Sequence, residues 1–284
     1  MILVVDGLNR HQFRDVLDDM FRLRARVFGG RLGWDVKIEN GREIDEFDHL
    51  DPAYVIGLDD GGNVVAAVRA LQTTGSHMLA DVFSAIMDGQ APIRSATLWE
   101  STRFCVDTNR LTRSKGKNSV SYATCELMIG SLEYARSAGI SDIITVIDPV
   151  MDRVLKRSNC APYDYVGRTV PMGKVSALAA LLDCTEERIS AVREFAGIHG
   201  DVFIAKQTAL ELLNSKISTK HLPANQDRKP ITDLERYFLE QLNASNTDSE
   251  RQDVFRLVTA LATGFSAERK TALLRNPRAF VHEA

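Results

Sequence analysis

Two apolar runs, residues 53–58 (AYVIGL) and 64–71 (VVAAVRAL), flank the turn sequence Asp59-Asp60-Gly61-Gly62-Asn63. Apolar, β-branched runs around an Asp/Gly/Asn turn predict an antiparallel hairpin, and a hairpin here commits the chain to a sheet. Helical patterns surround it. After a short strand at 2–5, Phe13, Leu17, Met20 and Val27 form an apolar stripe that Val16, Phe21 and Phe28 widen. Downstream come a polar loop with Gly75, a short helix near 78–87, a strand at 99–107 and a long helix at 119–138 ending at Gly139. A buried strand at 142–147 precedes a helix at 149–158 with Pro149 in its first turn. A strand at 163–170, a mixed apolar segment, a helix at 185–195 and a strand at 201–205 complete the main body.

This mixture of strands, helices and a hairpin predicts an α/β chain of the α+β sandwich type. A Rossmann arrangement is disfavoured, because no GxGxxG stands between a strand and a helix. Residues 214–230 are polar and carry two prolines, which reads as a linker. The domains expected are therefore 1–213, the linker 214–230, and a helical C-terminal extension at 231–284 whose role is open.

Composition narrows the function. With 284 residues, 44% apolar and 26% charged, the chain can bury a core, and its net charge of −3 gives no general attraction to nucleic acid or membranes. No apolar run approaches the roughly 20 residues that span a bilayer, and the N-terminus lacks the pattern of a signal peptide. Cys105, Cys125, Cys160 and Cys184 lie far apart without CxxC spacing. They are expected to be reduced, buried thiols of a cytoplasmic protein, with no metal site.

Several residues break the structural pattern. Arg24 occupies a position of the first helix's stripe where an apolar residue is expected, and an inward guanidinium needs anionic partners. Asp45 and Asp48 in EIDEFD follow closely, although a snorkelling arginine is the simpler alternative. Trp34, in the turn-like RLGWD, either plugs the edge of the core or offers a platform to a planar ligand. In WESTRFCVD, strand alternation sets Glu100 beside Leu98, Phe104 and Val106, an apolar setting that suits a general base. Arg103 faces away unless a β-bulge at Ser101 or Thr102 brings it round. A structural ion pair between Glu100 and Arg103 is the competing explanation. Arg69 interrupts VVAAVRAL in the same manner.

The segments RARVFGGRLGWD, EIDEFD, VRALQTTGSHML and WESTRF resemble, in order and spacing, the LuxI-type acyl-homoserine lactone (autoinducer) synthases over roughly residues 1–210. The resemblance implies a fold similar to the GNAT N-acyltransferases: a mixed, mostly antiparallel twisted sheet flanked by helices. It implies an acyltransferase of quorum sensing that joins an acyl thioester to S-adenosylmethionine, then releases methylthioadenosine and an acyl-homoserine lactone. Both reactants are substrates, so no cofactor is implied. By the same resemblance Arg24, Phe28, Trp34, Asp45, Asp48, Arg69 and Arg103 build and order the S-adenosylmethionine site, and Glu100 is the general base.

The acyl pocket is expected between the strands 97–107 and 142–148, lined by Phe104, Cys125, Met128, Ile147 and Leu155. Threonine is common at the position of Ile147 in relatives with 3-oxo products, so an acyl chain without a 3-oxo group is expected. Arg153, Lys156 and Arg157 resemble the basic surface on which relatives dock acyl-carrier protein, while acyl-coenzyme A is the other donor class. Self-association as a homodimer is compatible with these features. Two alternatives stand beside this reading: a GNAT-like N-acyltransferase with another amine acceptor, and a non-catalytic binding or regulatory protein.

Overall fold

The computed structural model describes residues 1–107, 120–172, 175–220 and 252. Contacts divide the chain into two units, Met1–Lys216 and Ile217–Ala284, and the first carries the sheet. The expected hairpin forms as β4 (Ala53–Leu58) and β5 (Val64–Gln72). Asp59 closes its turn by accepting from the backbone N–H of Gly61 and Asn63. With β1 (Ile2–Val5), β6 (Leu98–Val106), β7 (Asp142–Ile147), β8 (Asp164–Met172) and β9 (Val175–Asp183), these strands make a seven-stranded sheet in the order β1-β4-β5-β6-β7-β9-β8, while β2 (Ile38–Glu39) and β3 (Arg42–Glu43) form a separate antiparallel ribbon. Every neighbouring pair is antiparallel except β6–β7.

Helices cover both faces, which explains why the strands read as nearly continuous apolar runs. On one face, α1 (Arg14–Arg24) lays Val16, Leu17, Met20 and Leu23 on Leu3, Val5, Tyr54 and Ile56. On the other, α3 (Tyr122–Ser137), α4 (Pro149–Arg157) and α5 (Glu186–Ala196) bury Leu127, Ile129, Leu132, Leu155, Ile189 and Val192 against Ile2, Val55 and Val68. The caps follow the sequence: Ser121, Asp148 and Thr185 each accept a backbone N–H in the first turn of the helix they precede.

Four expectations need correction. The first helix does not run regularly to Phe28; α1 ends at Arg24 and continues as a wider π-helical turn, Ala25–Arg31. The apolar segment after residue 170 contains β9, whose alanine-rich VSALAALLD lacks the alternation that marks a half-exposed strand, because both of its faces are covered. Residues 201–205 form only an isolated bridge, Ile2 to Phe203. The segment 214–220, expected within the linker, continues helix α6 (Lys206–Lys220). The rest of the linker, the extension at 231–284 and the expected first residue of the helix at 119 lie outside the described residues.

Candidate active site

α1 delivers Arg24 to the sheet with 1% of its surface exposed, so snorkelling is excluded. Its Nε donates to Glu43 Oε2 at 2.5 Å, and its Nη1 and Nη2 donate to both oxygens of Asp48 at 2.8 and 2.9 Å. Arg69, fully buried in β5, donates from Nη1 to the same Asp48 oxygen at 2.8 Å and from Nε to Thr102 Oγ1 at 3.0 Å. It also grips Asp45 through both terminal nitrogens, Nη2 reaching Oδ2 at 3.0 Å. Arg103 completes the set, with Nε on Glu43 Oε1 at 3.1 Å and Nη2 on Asp45 Oδ2 at 2.8 Å.

Three guanidiniums thus share three carboxylates. Charge neutrality and nearly full hydrogen bonding are what make such burial tolerable, since an unpaired ion there would lose its hydration without compensation. Asp48 also accepts from Tyr54 Oη at 2.7 Å and from the Asp45 N–H at 2.8 Å. Burial alone would push the Asp48 carboxyl up, but the Arg24 and Arg69 guanidiniums outweigh it and hold it well below the usual carboxylate range. Asp45 and Asp48 form a reciprocal capping box on the short turn Glu46–His49, so the carboxylates that bind arginine also fix their own loop.

A bulge explains the spacing of Glu100 and Arg103. Arg69 pairs with Thr102 and Ala67 with Cys105, leaving Arg103 and Phe104 together opposite Val68, with Arg103 at a φ of 57°. The bulge therefore lies one to two residues beyond the expected Ser101 or Thr102. It turns Arg103 into the cluster and reverses the alternation after it. Phe104 and Val106 consequently pack on the α3 side, while Glu100 and Leu98 face the other way; the expected apolar neighbours of Glu100 are corrected accordingly.

Glu100 and Arg103 have different partners, so they are not the structural ion pair considered above. The Glu100 carboxylate is fully buried and accepts the N–H of Met78 at 2.7 Å and of Leu79 at 2.6 Å, one on each oxygen. These N–H groups open the single-turn helix α2 (Met78–Asp81). Burial pushes Glu100 up to about 7, against the lowering influence of the two N–H groups and Arg69.

The π-helical turn carries Phe28 beneath Arg103, 5.6 Å from ring centre to guanidinium carbon. Trp34 leans on Phe28 at 5.1 Å and stays 40% exposed, so it is no core plug but a wall open to solvent. Arg24, Phe28, Trp34, Asp45, Asp48, Arg69 and Arg103 are thus brought to one face of the sheet. Phe104, Cys125, Met128, Ile147 and Leu155 gather on the other face, all in the core under α3 and α4. Between the two faces, β6 and β7 pair from Leu98–Asp142 to Ser101–Thr145 and then stop, although both strands continue. Arg153, Lys156 and Arg157 are exposed on α4, where Lys156 bonds Asp152 at 2.7 Å and stands 5.5 Å from the Tyr165 ring centre.

Sequence reasoning missed Glu43, Thr102 and Met78. Met78 Sδ lies 3.2 Å from Arg69 Nη2 and 3.5 Å from Arg103 Nη1. A signal for Glu43 existed: a buried arginine has five N–H donors, more than one carboxylate can accept. Glu43, which shares the EIDEFD segment with Asp45 and Asp48, was therefore a candidate further partner.

Comparison with known proteins bears on this geometry. Residues 9–192 match the family described as Autoinducer synthase. An acyl-homoserine-lactone synthase of Agrobacterium fabrum is 36% identical over 181 residues, covering 64% of this chain and 85% of that protein. The solved structure of a CoA-dependent acyl-homoserine lactone synthase, MesI, is 28% identical with a TM-score of 0.62, covering 71% of this chain and 98% of that one. That of the AHL synthase LasI is 27% identical with a TM-score of 0.58, covering 72% and 98%.

Proposed function

The chain belongs to the autoinducer synthase family, and from that premise we infer that its buried arginine–carboxylate cluster is the S-adenosylmethionine end of an acyl-homoserine-lactone synthase. The protein is an acyltransferase. The observation that carries the site reading is the neutral cluster of Arg24, Glu43, Asp45, Asp48, Arg69 and Arg103 beside the Phe28–Trp34 wall. Arg103, the least buried of the three guanidiniums, suits the substrate's carboxylate, and the exposed indole suits its adenine.

In the proposed reaction the α-ammonium of S-adenosylmethionine first loses a proton to Glu100 through a water. Each Glu100 oxygen accepts one N–H and so keeps a further lone-pair direction. A carboxyl raised to about 7 matches that task. The free amine attacks the thioester carbonyl carbon; the tetrahedral oxyanion collapses and breaks the C–S bond, and the leaving thiolate takes the proton remaining on the new amide nitrogen, departing as the thiol. The methionyl carboxylate then attacks the carbon beside the sulfonium; that C–S bond breaks, closing the lactone and releasing methylthioadenosine. The second step needs mainly a folded substrate, a proximity effect. The acyl chain is assigned to the space near Phe104, Cys125, Met128, Ile147 and Leu155, which the end of the β6–β7 ladder adjoins.

The exposed Arg153, Lys156 and Arg157 support docking of an anionic donor, either acyl-carrier protein or the phosphates of coenzyme A. Four free, buried cysteines support a reducing, cytoplasmic setting. Incubation with S-adenosylmethionine and a panel of both thioester classes is expected to yield lactone and methylthioadenosine in equal amounts by mass spectrometry. Acylation of another amine in place of S-adenosylmethionine would favour the GNAT-like alternative, and no product with any donor would favour a non-catalytic protein.

A substitution at the wall separates binding from folding. Trp34→Ala is expected to raise KM for S-adenosylmethionine about tenfold, the order of one lost base–aromatic stack. Its thermal midpoint should stay near wild type, because Trp34 contributes little to the core. An unchanged KM would remove Trp34 from the site.

A further inference from the structure

The α3 side of the sheet contains a cavity of about 10 Å³, whose lining includes Val55, Val68, Trp99, Ser101, Ser131 and Tyr134. It has room for about one water molecule. Its position is more informative than its size. On α3, Met128, Ser131 and Tyr134 succeed one another at i,i+3 spacing, so each is the surface neighbour of the next. On β6, Ser101 and Trp99 share the face toward α3, ahead of the bulge that sends Phe104 to the same side. The cavity therefore continues the line of the proposed acyl pocket away from the bulge.

That line ends at two rings. Trp99 and Tyr134 meet at 5.5 Å between centroids with an interplanar angle of 47°. The helix cannot easily move aside there, because α3 sits directly on β1: a Cβ added to Gly130 would meet Ile2 Cγ1 at 2.9 Å. We propose that Trp99 and Tyr134 form the floor of the acyl pocket and set the longest acyl chain the enzyme accepts. The inference rests on the synthase reading above.

Met128 to Tyr134 spans roughly 9 Å of helix, and Arg103 to Trp99 spans about 13 Å of strand. Extended chains cover ~3.3–3.6 Å in three bonds, so the floor limits the acyl group to roughly eight to twelve carbons.

The test is a chain-length series of acyl thioesters, butanoyl to tetradecanoyl, with kcat/KM read from lactone formation. Wild type is expected to fall steeply beyond dodecanoyl. Trp99→Ala should raise the tetradecanoyl-to-octanoyl ratio about tenfold or more, the scale on which apolar pockets discriminate chain length. Ser131→Thr, whose added methyl is about the size of the cavity, should move the optimum the other way and so provides a check should Trp99→Ala fail to fold. Efficient tetradecanoyl transfer by wild type, or an unchanged ratio in folded variants, overturns the floor while leaving the synthase reading intact. Absence of lactone from every donor overturns the synthase reading itself.

Discussion

Replacing Asp48 by alanine is expected to cost about 3–5 kcal/mol of folding stability, the range for removing one partner of a buried ion pair. The cause is local and countable. Asp48 accepts from Arg24 twice, from Arg69, from Tyr54 Oη and from the Asp45 N–H. Alanine strands all of these donors in a buried cluster, and it leaves three guanidiniums against two acids. It also deletes one half of the capping box that holds Glu46–His49.

The measurement is urea unfolding at neutral pH, with Asp48→Asn as the shape-preserving comparison. Asparagine keeps an acceptor oxygen but not the charge, so its loss should be smaller than alanine's. Acid strengthens the argument. The folded pKa of Asp48 is depressed, so its contribution is present above the ordinary aspartate pKa and is lost as pH falls toward the folded value. The gap between wild type and Asp48→Ala should therefore narrow below about pH 4. A penalty under about 0.5 kcal/mol, within the range of ordinary surface changes, would mean the cluster is not what pins α1 to the sheet.

Much of this site was legible because its residues violate the patterns around them. Arg24 interrupts a helical stripe and Arg69 an apolar strand, and both proved to be buried ions. The hairpin was legible for the opposite reason, because its turn chemistry and apolar runs agree. The bulge at Arg103 was not placed correctly: any of several residues can occupy a bulge, and only the pairing with β5 shows which one does. Its displacement changed the surroundings of Glu100 altogether. The helix cap on Glu100 could not be read either, since the donors are backbone N–H groups of Met78 and Leu79, which carry no side-chain signature. β9 was hidden by burial on both faces, which erases the alternation that sequence reading depends on.

The cap gives Glu100 two separable tasks, and Glu100→Gln separates them. As the general base, Glu100 should confer a kcat/KM that rises through about pH 7, where the buried carboxyl loses its proton. The glutamine variant should lose on the order of a hundredfold or more in kcat, and its residual rate should no longer follow that ionisation. As a clamp, Glu100 accepts two N–H groups, whereas glutamine offers one oxygen and turns an N–H₂ toward the other donor. Stability carries the opposite pH sign from Asp48. The folded pKa of Glu100 is raised, so its ionisation works against folding from about pH 4.5 up to about 7, with an integrated effect on the order of 3 kcal/mol. Wild-type stability should decline over that window, and the decline should vanish in Glu100→Gln. If the variant loses that pH-dependent stability yet keeps near-normal turnover, Glu100 serves only to hold Met78 and Leu79, and the ammonium's proton leaves by another route.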